Sequence, residues 1–384
     1  MEPHQYPRRI LLCASGLSPA IITETLYALA VVQRPAFVPT EVHLVTTREG
    51  AARARLTLLD DDPEQAHFRR LCEDHGLDRT AIRFGPDTIH VIGGGDGPGL
   101  EDIRDLADNA AAADTITRVV RELTHDADAA VHGSIAGGRK TMGFYLGYAL
   151  SLFGRPQDRL SHVLVSPGVE GHPQFFYPPP RPRVLFDRDN RPVNAHEADV
   201  TLADIPFVRL RDGLDGVMRE GGASFSEAVR QAQRTLEPPR LVLAPAERRV
   251  WCGGVEICLS AAEFAFLAWF ARRVLDEAGP VSRKAPMAED VEAFLVEHQR
   301  VLEPLSGEHD RVAQAARRAL AEGDFYKYFD DRRAPLKKRL RAALGEREAE
   351  RYLPVRLPAR QGWYALGLTA GQIQFNEQQQ ENGM

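Results

Sequence analysis

Five short apolar runs, each separated from the next by segments of helical spacing, constrain this chain more than any other feature. They are Arg9 to Cys13, Glu41 to Thr46, Thr88 to Ile92, Ala129 to His132 and Ser161 to Val165. Strands alternating with helices are the pattern of a parallel, doubly wound α/β sheet. After the first run, Ser18 is placed as N-cap and Pro19 as first helical residue, and Ile22, Leu26, Leu29 and Val32 follow at helical spacing. Further helices are expected roughly over Gly50 to Leu59, Pro63 to Cys72, Asp105 to Leu123 and Thr141 to Phe153. Ligands of such sheets gather at the C-terminal strand ends. The turn Ser15 to Ser18, the strand end at Thr46-Thr47 and the turn Gly137 to Lys140 are therefore expected on one rim.

The stretch Ala129 to Tyr145 carries the most chemistry. A strand runs into Gly133-Ser134-Ile135-Ala136-Gly137-Gly138, and a helix opens at Arg139-Lys140-Thr141. Backbone N–H groups at the positive end of a helix dipole, with two cations beside them, favour an anion such as a phosphate. The spacing is near that of a P-loop and fails it, because Arg139 intervenes between Gly138 and Lys140. A plain glycine-rich strand–helix turn is the competing explanation.

Composition narrows the remaining classes. With 384 residues, 43% of them hydrophobic and 27% charged, the chain has room for two or three cored domains. A net charge of -6 argues against wholesale non-specific nucleic-acid binding while leaving room for a local basic patch. Cys13, Cys72, Cys252 and Cys258 lack metal spacing, and the twelve histidines form no ligand motif. No cofactor or metal is expected. The run Ile10 to Ala14 is too short for a signal-peptide core, and no apolar run approaches membrane length, so a cytoplasmic protein with no membrane partner is expected.

Beyond Val165 the texture changes. A proline-rich exit, Phe175 to Pro182, leads into an expected connector over residues 181–239, with a strand at Arg183 to Phe186 and a helix near Ser224 to Thr235. A second unit over residues 240–370 opens with short strands turning at Gly253-Gly254. Ser260 then caps an amphipathic helix, Ala261 to Arg273. Residues 280–330 read as charged and mostly helical. The run Arg332 to Arg341 holds Arg332, Arg333, Lys337, Lys338, Arg339 and Arg341 and no carboxylate. A hairpin over Tyr352 to Leu366 and a polar tail, residues 371–384, expected to be disordered, close the chain. This order suggests an α+β winged-helix-like domain whose basic helix is a candidate for contact with double-stranded DNA. A solvated helix face is the plain alternative.

The residues Ala14 to Pro19, the helix Thr23 to Leu29, the run Ser134 to Met142 and the segments Ser166-Pro167 and Phe175 to Pro178 resemble a known family. These are the CARF domains, the CRISPR-associated Rossmann-fold sensors of type III systems, and in particular their ring-nuclease branch. The resemblance covers roughly residues 8–180, and the second unit resembles the winged-helix domain of response regulators, with residues 280–330 as its main departure.

The resemblance implies a homodimer that binds a cyclic oligoadenylate across its two-fold axis, cyclic tetra-adenylate first among the rings. It implies metal-independent cleavage, in which a ribose 2′-hydroxyl attacks the adjacent phosphorus and leaves a 2′,3′-cyclic phosphate. Lys140 and Ser15 are the implied catalytic residues. Gly16, Leu17, Ser18, Thr46, Ser134, Ala136, Gly137, Gly138, Arg139 and Thr141 are the implied ligand contacts. No histidine is placed as general base, and His132 reads as a buried strand residue. Two other readings compete: a ring-gated DNA-binding regulator, and a ring-activated ribonuclease, whose R-x(4–6)-H spacing is met only by Arg70 and His75.

Overall fold

The computed structural model describes residues 1–62, 65–94, 97–211, 214, 222–302 and 308–376. It divides into two compact units, residues 1–214 with 218–232, and residues 215–217 with 233–384.

The first unit is built on a six-stranded sheet of order β3-β2-β1-β4-β5-β8. Its strands are β1 (Arg8–Ala14), β2 (Glu41–Thr46), β3 (Ile89–Val91), β4 (Ala129–Ser134), β5 (Arg159–Val165) and β8 (Val200–Asp204). The first five pair in parallel, and β8 lies antiparallel to β5. The packing of β1 shows why Ile10 to Ala14 is an unbroken apolar run. Ile10, Leu12 and Ala14 pack with α4 (Leu106–Leu123) and α5 (Lys140–Phe153). Leu11 and Cys13 pack with α1 (Ala20–Tyr27), α2 (Arg48–Leu58) and α3 (His67–Asp74). A strand covered on both faces buries every side chain, each large aliphatic contributing about 1.5–3 kcal/mol.

The strand order reverses at the β1/β4 boundary, since β1 leads to β2 on one side and β4 to β5 on the other. There the loops after β1 and β4 leave the same edge of the sheet in opposite directions and open a crevice.

Several expectations are corrected. The first helix starts at Ala20, with Pro19 at the N-cap and no side-chain cap, so Ser18 does not cap it. The α-helix stops at Tyr27 and continues as a π-helical turn, Ala28–Val32. Residues 181–239 are not a separate connector. They hold a hairpin of β6 (Val184–Phe186) and β7 (Pro192–Asn194), the sixth strand of the main sheet, and the helix Phe225–Leu236, whose residues through Ala232 belong to the first unit.

The second unit carries a four-stranded sheet of order β11-β10-β9-β15, with β9 (Leu241–Ala244), β10 (Arg249–Cys252) and β11 (Val255–Cys258) antiparallel. β15 (Ile373–Phe375) pairs in parallel with β9, so the tail is ordered through residue 376, and residues 377–384 lie outside the described residues. Ser260 and Glu263 form a reciprocal capping box for the helix Ala261–Leu275. That helix buries Phe264, Phe266, Trp269 and Phe270 against Phe294 of the helix Ala288–Arg300 and Phe329 of the helix Phe325–Leu344. A small sheet joins β12 (Val281–Ser282), β14 (Trp363–Leu366) and β13 (Pro354–Arg356) in that order and includes the expected hairpin, β13 with β14.

Candidate functional site

Close packing of backbone builds the crevice. The turn after β4 lies against the turn after β1, and glycine is what allows it. A Cβ at Gly137 would stand 2.8 Å from Ser15 Oγ and 3.0 Å from Ile21 Cγ1. Gly138 has φ +83°, a conformation that strains any side chain, and a Cβ there would crowd Gly16 N at 3.2 Å. From the other flank, the Thr46 hydroxyl donates to the Gly16 carbonyl at 3.3 Å, and Arg53 of α2 donates to the Leu17 carbonyl at 3.2 Å. The three turns expected on one rim do meet there.

Beside these turns lies a cavity of about 650 Å³, within the range of small-molecule sites. Of the residues expected from sequence, Leu17, Ser18, Ala136, Gly137 and Gly138 line it. Ser15, Thr46 and Ser134 are buried behind the turns. The Ser15 hydroxyl donates to the Ser18 carbonyl at 3.0 Å, and the Ser134 hydroxyl sits 3.1 Å from that of Thr25. Those hydroxyls shape the loops. Gly16, Arg139, Lys140 and Thr141 flank the cavity without lining it.

The two expected cations differ. Arg139 is held by Asp102 in a bidentate pair, Nε to Oδ1 at 3.1 Å and Nη2 to Oδ2 at 2.6 Å, so its charge is already met. Lys140, the exposed first residue of α5, has no ion pair or side-chain hydrogen bond among the described residues. It stands where the first-turn N–H groups of a helix lack intrahelical acceptors.

Sequence reasoning assigned no role to several cavity residues: Arg53, Glu24, His162, Glu170, His172 and Phe176. Glu24 is only 6% exposed, and burial, reinforced by nearby Glu170, pushes its carboxyl up to about 7. A lone acid among Ile21, Ile22 and Leu26 was the available signal, because carboxylates are rarely buried without a partner. His132 is buried, pairs with Ser161 Oγ at 2.7 Å and is pushed down to about 4 by burial, so it is a neutral core residue. His75 meets the Pro178 carbonyl at 3.1 Å.

In the second unit the basic run is largely engaged within its own fold. Arg339 pairs with Glu263 at 3.2 Å and Arg341 with Glu346 at 2.6 Å. Arg332 lies over the Tyr328 ring at 4.2 Å, and Arg333 donates to the Pro354 carbonyl at 2.9 Å. Lys337 and Lys338 have no such partner among the described residues. Among the described residues no group of three or more His, Cys, Asp or Glu side chains is arranged to hold a metal ion, and no helix is long and apolar enough to cross a membrane.

Comparison with known proteins places these features in a family. No curated protein sequence matches the chain. Among solved structures it is similar to Enterococcus italicus Csm6 bound to cyclic hexa-2′-fluoro-hexa-dAMP, at 11% identity and a TM-score of 0.26. That alignment covers 90% of this chain and 60% of the other, so this chain spans less than two thirds of that protein, and a likeness so loose carries no argument. The family model of CRISPR-associated protein NE0113 matches residues 18–238, more than half of the chain and nearly all of the first unit beyond β1. The chain therefore belongs to the CRISPR-associated NE0113 family.

Proposed function

We propose that this protein binds a cyclic oligoadenylate, cyclic tetra-adenylate first among the rings, and opens it without a metal, switching off type III CRISPR signalling. The observation that carries the reading is the crevice where the strand order reverses. It joins a glycine turn at a helix N-terminus, a Lys140 that is unpaired among the described residues, and a cavity of about 650 Å³. Membership of a CRISPR-associated family and the resemblance to CARF ring nucleases support the choice of ligand.

In the proposed reaction the ribose 2′-oxygen bonds to the adjacent phosphorus as the bond to the 5′-oxygen breaks. The products carry a 2′,3′-cyclic phosphate and a free 5′-hydroxyl. The 2′-hydroxyl proton leaves to solvent and the 5′-oxygen gains one. The protein's part is to hold the attacking oxygen, phosphorus and leaving oxygen in line. Lys140 and the Gly137-Gly138 N–H groups stabilise the charge that develops on the phosphoryl oxygens. Ser15 acts as a positioning residue through the Ser18 carbonyl. One chain offers one turn, whereas a four-fold ring repeats its phosphate, so two chains related by a two-fold axis would present the same turn to opposite phosphates.

The test is incubation of the purified protein with cyclic tri-, tetra- and hexa-adenylate in EDTA, with products separated by chromatography. Linear products with cyclic phosphate ends support ring cleavage. Rings recovered intact although bound would leave a sensor. For that outcome the second unit supplies a second reading: Lys337 and Lys338, unpaired among the described residues, lie on the helix Phe325–Leu344, whose Arg333 meets the hairpin at the Pro354 carbonyl, as a winged-helix DNA binder would require.

A further inference from the structure

The cavity has chemistry that phosphate binding does not use. Glu24 faces it from α1, in company with His162 and Val163 of β5, Phe176, and Glu170 of the loop after β5. Glu24 has no hydrogen-bond or ion-pair partner among the described residues, and the charged residue that acts on it is Glu170, another acid. A phosphate would be repelled there. A base would not: Val163 and Phe176 offer apolar contact, and a purine edge offers polar groups for a carboxyl to meet.

We propose that Glu24 reads the base of the bound nucleotide as a neutral carboxylic acid, donating its O–H to adenine N1 and accepting from the N6 amine. This rests on the reading of the cavity as a cyclic oligoadenylate site and adds a residue to it. The acid form offers one donor and one acceptor side by side, the arrangement with which an amide side chain meets adenine. The ionised form is acceptor-only and meets the N1 lone pair with repulsion.

The surroundings favour the acid. Burial and Glu170 hold the group half-protonated near pH 7. The other ionisable groups of the cavity are His162, His172 and Arg53. His172 is turned to the Phe186 carbonyl at 3.2 Å, and Arg53 is engaged with the Leu17 carbonyl. His75, just past α3, meets the Pro178 carbonyl, and His67 of α3 stacks on Phe176 at 3.6 Å. On β8 the ionisable residue is Asp204, which pairs with Ser161 at the opposite end of β5 from Val165.

The test uses cyclic tetra-adenylate and the intact protein in isothermal calorimetry between about pH 5.5 and 8.5, in buffers of differing ionisation heat. Wild type should take up a proton on binding above pH 7 and lose about tenfold in affinity across the range. Glu24→Gln should bind as wild type does at low pH, with no proton uptake and a flat profile. Glu24→Ala should bind with a flat profile, about tenfold more weakly than wild type does at low pH and no more weakly than wild type does at high pH. Wild type that binds the ring with a flat profile and no proton uptake overturns the assignment, and needs no variant to fold. A Glu24→Gln variant that folds, judged by its melting curve, yet binds as weakly as Glu24→Ala also overturns it. A wild type that ignores the ring at every pH overturns instead the functional reading on which the assignment rests.

Discussion

The turn at Gly137 to Lys140 and the run Arg332 to Arg341 look alike on paper, as cations beside a helix, and the structure separates them. At the turn, Arg139 is tied to Asp102 while Lys140 is unpaired among the described residues, at a helix N-terminus. Along the basic run, Arg332, Arg333, Arg339 and Arg341 meet aromatic faces, a backbone carbonyl and carboxylates of their own unit. Cationic residues in a sequence measure charge present, whereas binding depends on charge without an internal partner. By that measure one lysine at the turn counts for more than four arginines on the helix.

Lys140→Ala gives the largest expected effect, a loss of ring cleavage of about 10²–10³-fold in single-turnover assays, as for removal of a preorganised charge stabiliser. Gly137→Val should weaken ring binding by about 100-fold in calorimetry, because its side chain would force the two turns apart. Glu24→Gln should stabilise the fold at pH 8 and not at pH 4. Folding raises this carboxyl from its ordinary value to about 7, so the folded chain takes up a proton across that window. Rising pH therefore removes stability from wild type, by up to about 3 kcal/mol above the window, and thermal melts at the two pH values check the sign. If the basic helix meets duplex DNA, Lys337→Ala with Lys338→Ala should reduce the slope of log affinity against log salt by about 2. The smallest effect belongs to Arg139→Ala, a change in ring affinity of about twofold, since its guanidinium is exposed and turned to Asp102 rather than lining the cavity. Equal losses from Arg139→Ala and Lys140→Ala would break the comparison.

Much of the fold was legible because it is written locally. The runs Ile10 to Ala14 and Ala129 to Val131 are apolar at every position because both faces are covered, and Ser260 with Glu263 marks the start of a helix. What was not legible depends on residues far apart in sequence. Asp102 neutralises Arg139 across 37 positions, and β15 finds β9 across more than a hundred. Val200–Asp204 read as part of a connector because an edge strand is short and only half covered. Ser15 was read as a catalytic residue, and its residue type gives no sign that the hydroxyl turns inward to Ser18. The glycines at 137 and 138 were legible as a turn; their closeness to Ser15 and Gly16 was not.

The most direct test of the central claim is a crystal structure of the protein with cyclic tetra-adenylate bound. Two chains should share one ring, with a phosphate of each half against the Gly137-Gly138 N–H groups and the Lys140 ammonium. A ring seated away from that turn, or a single chain holding it alone, would contradict the account.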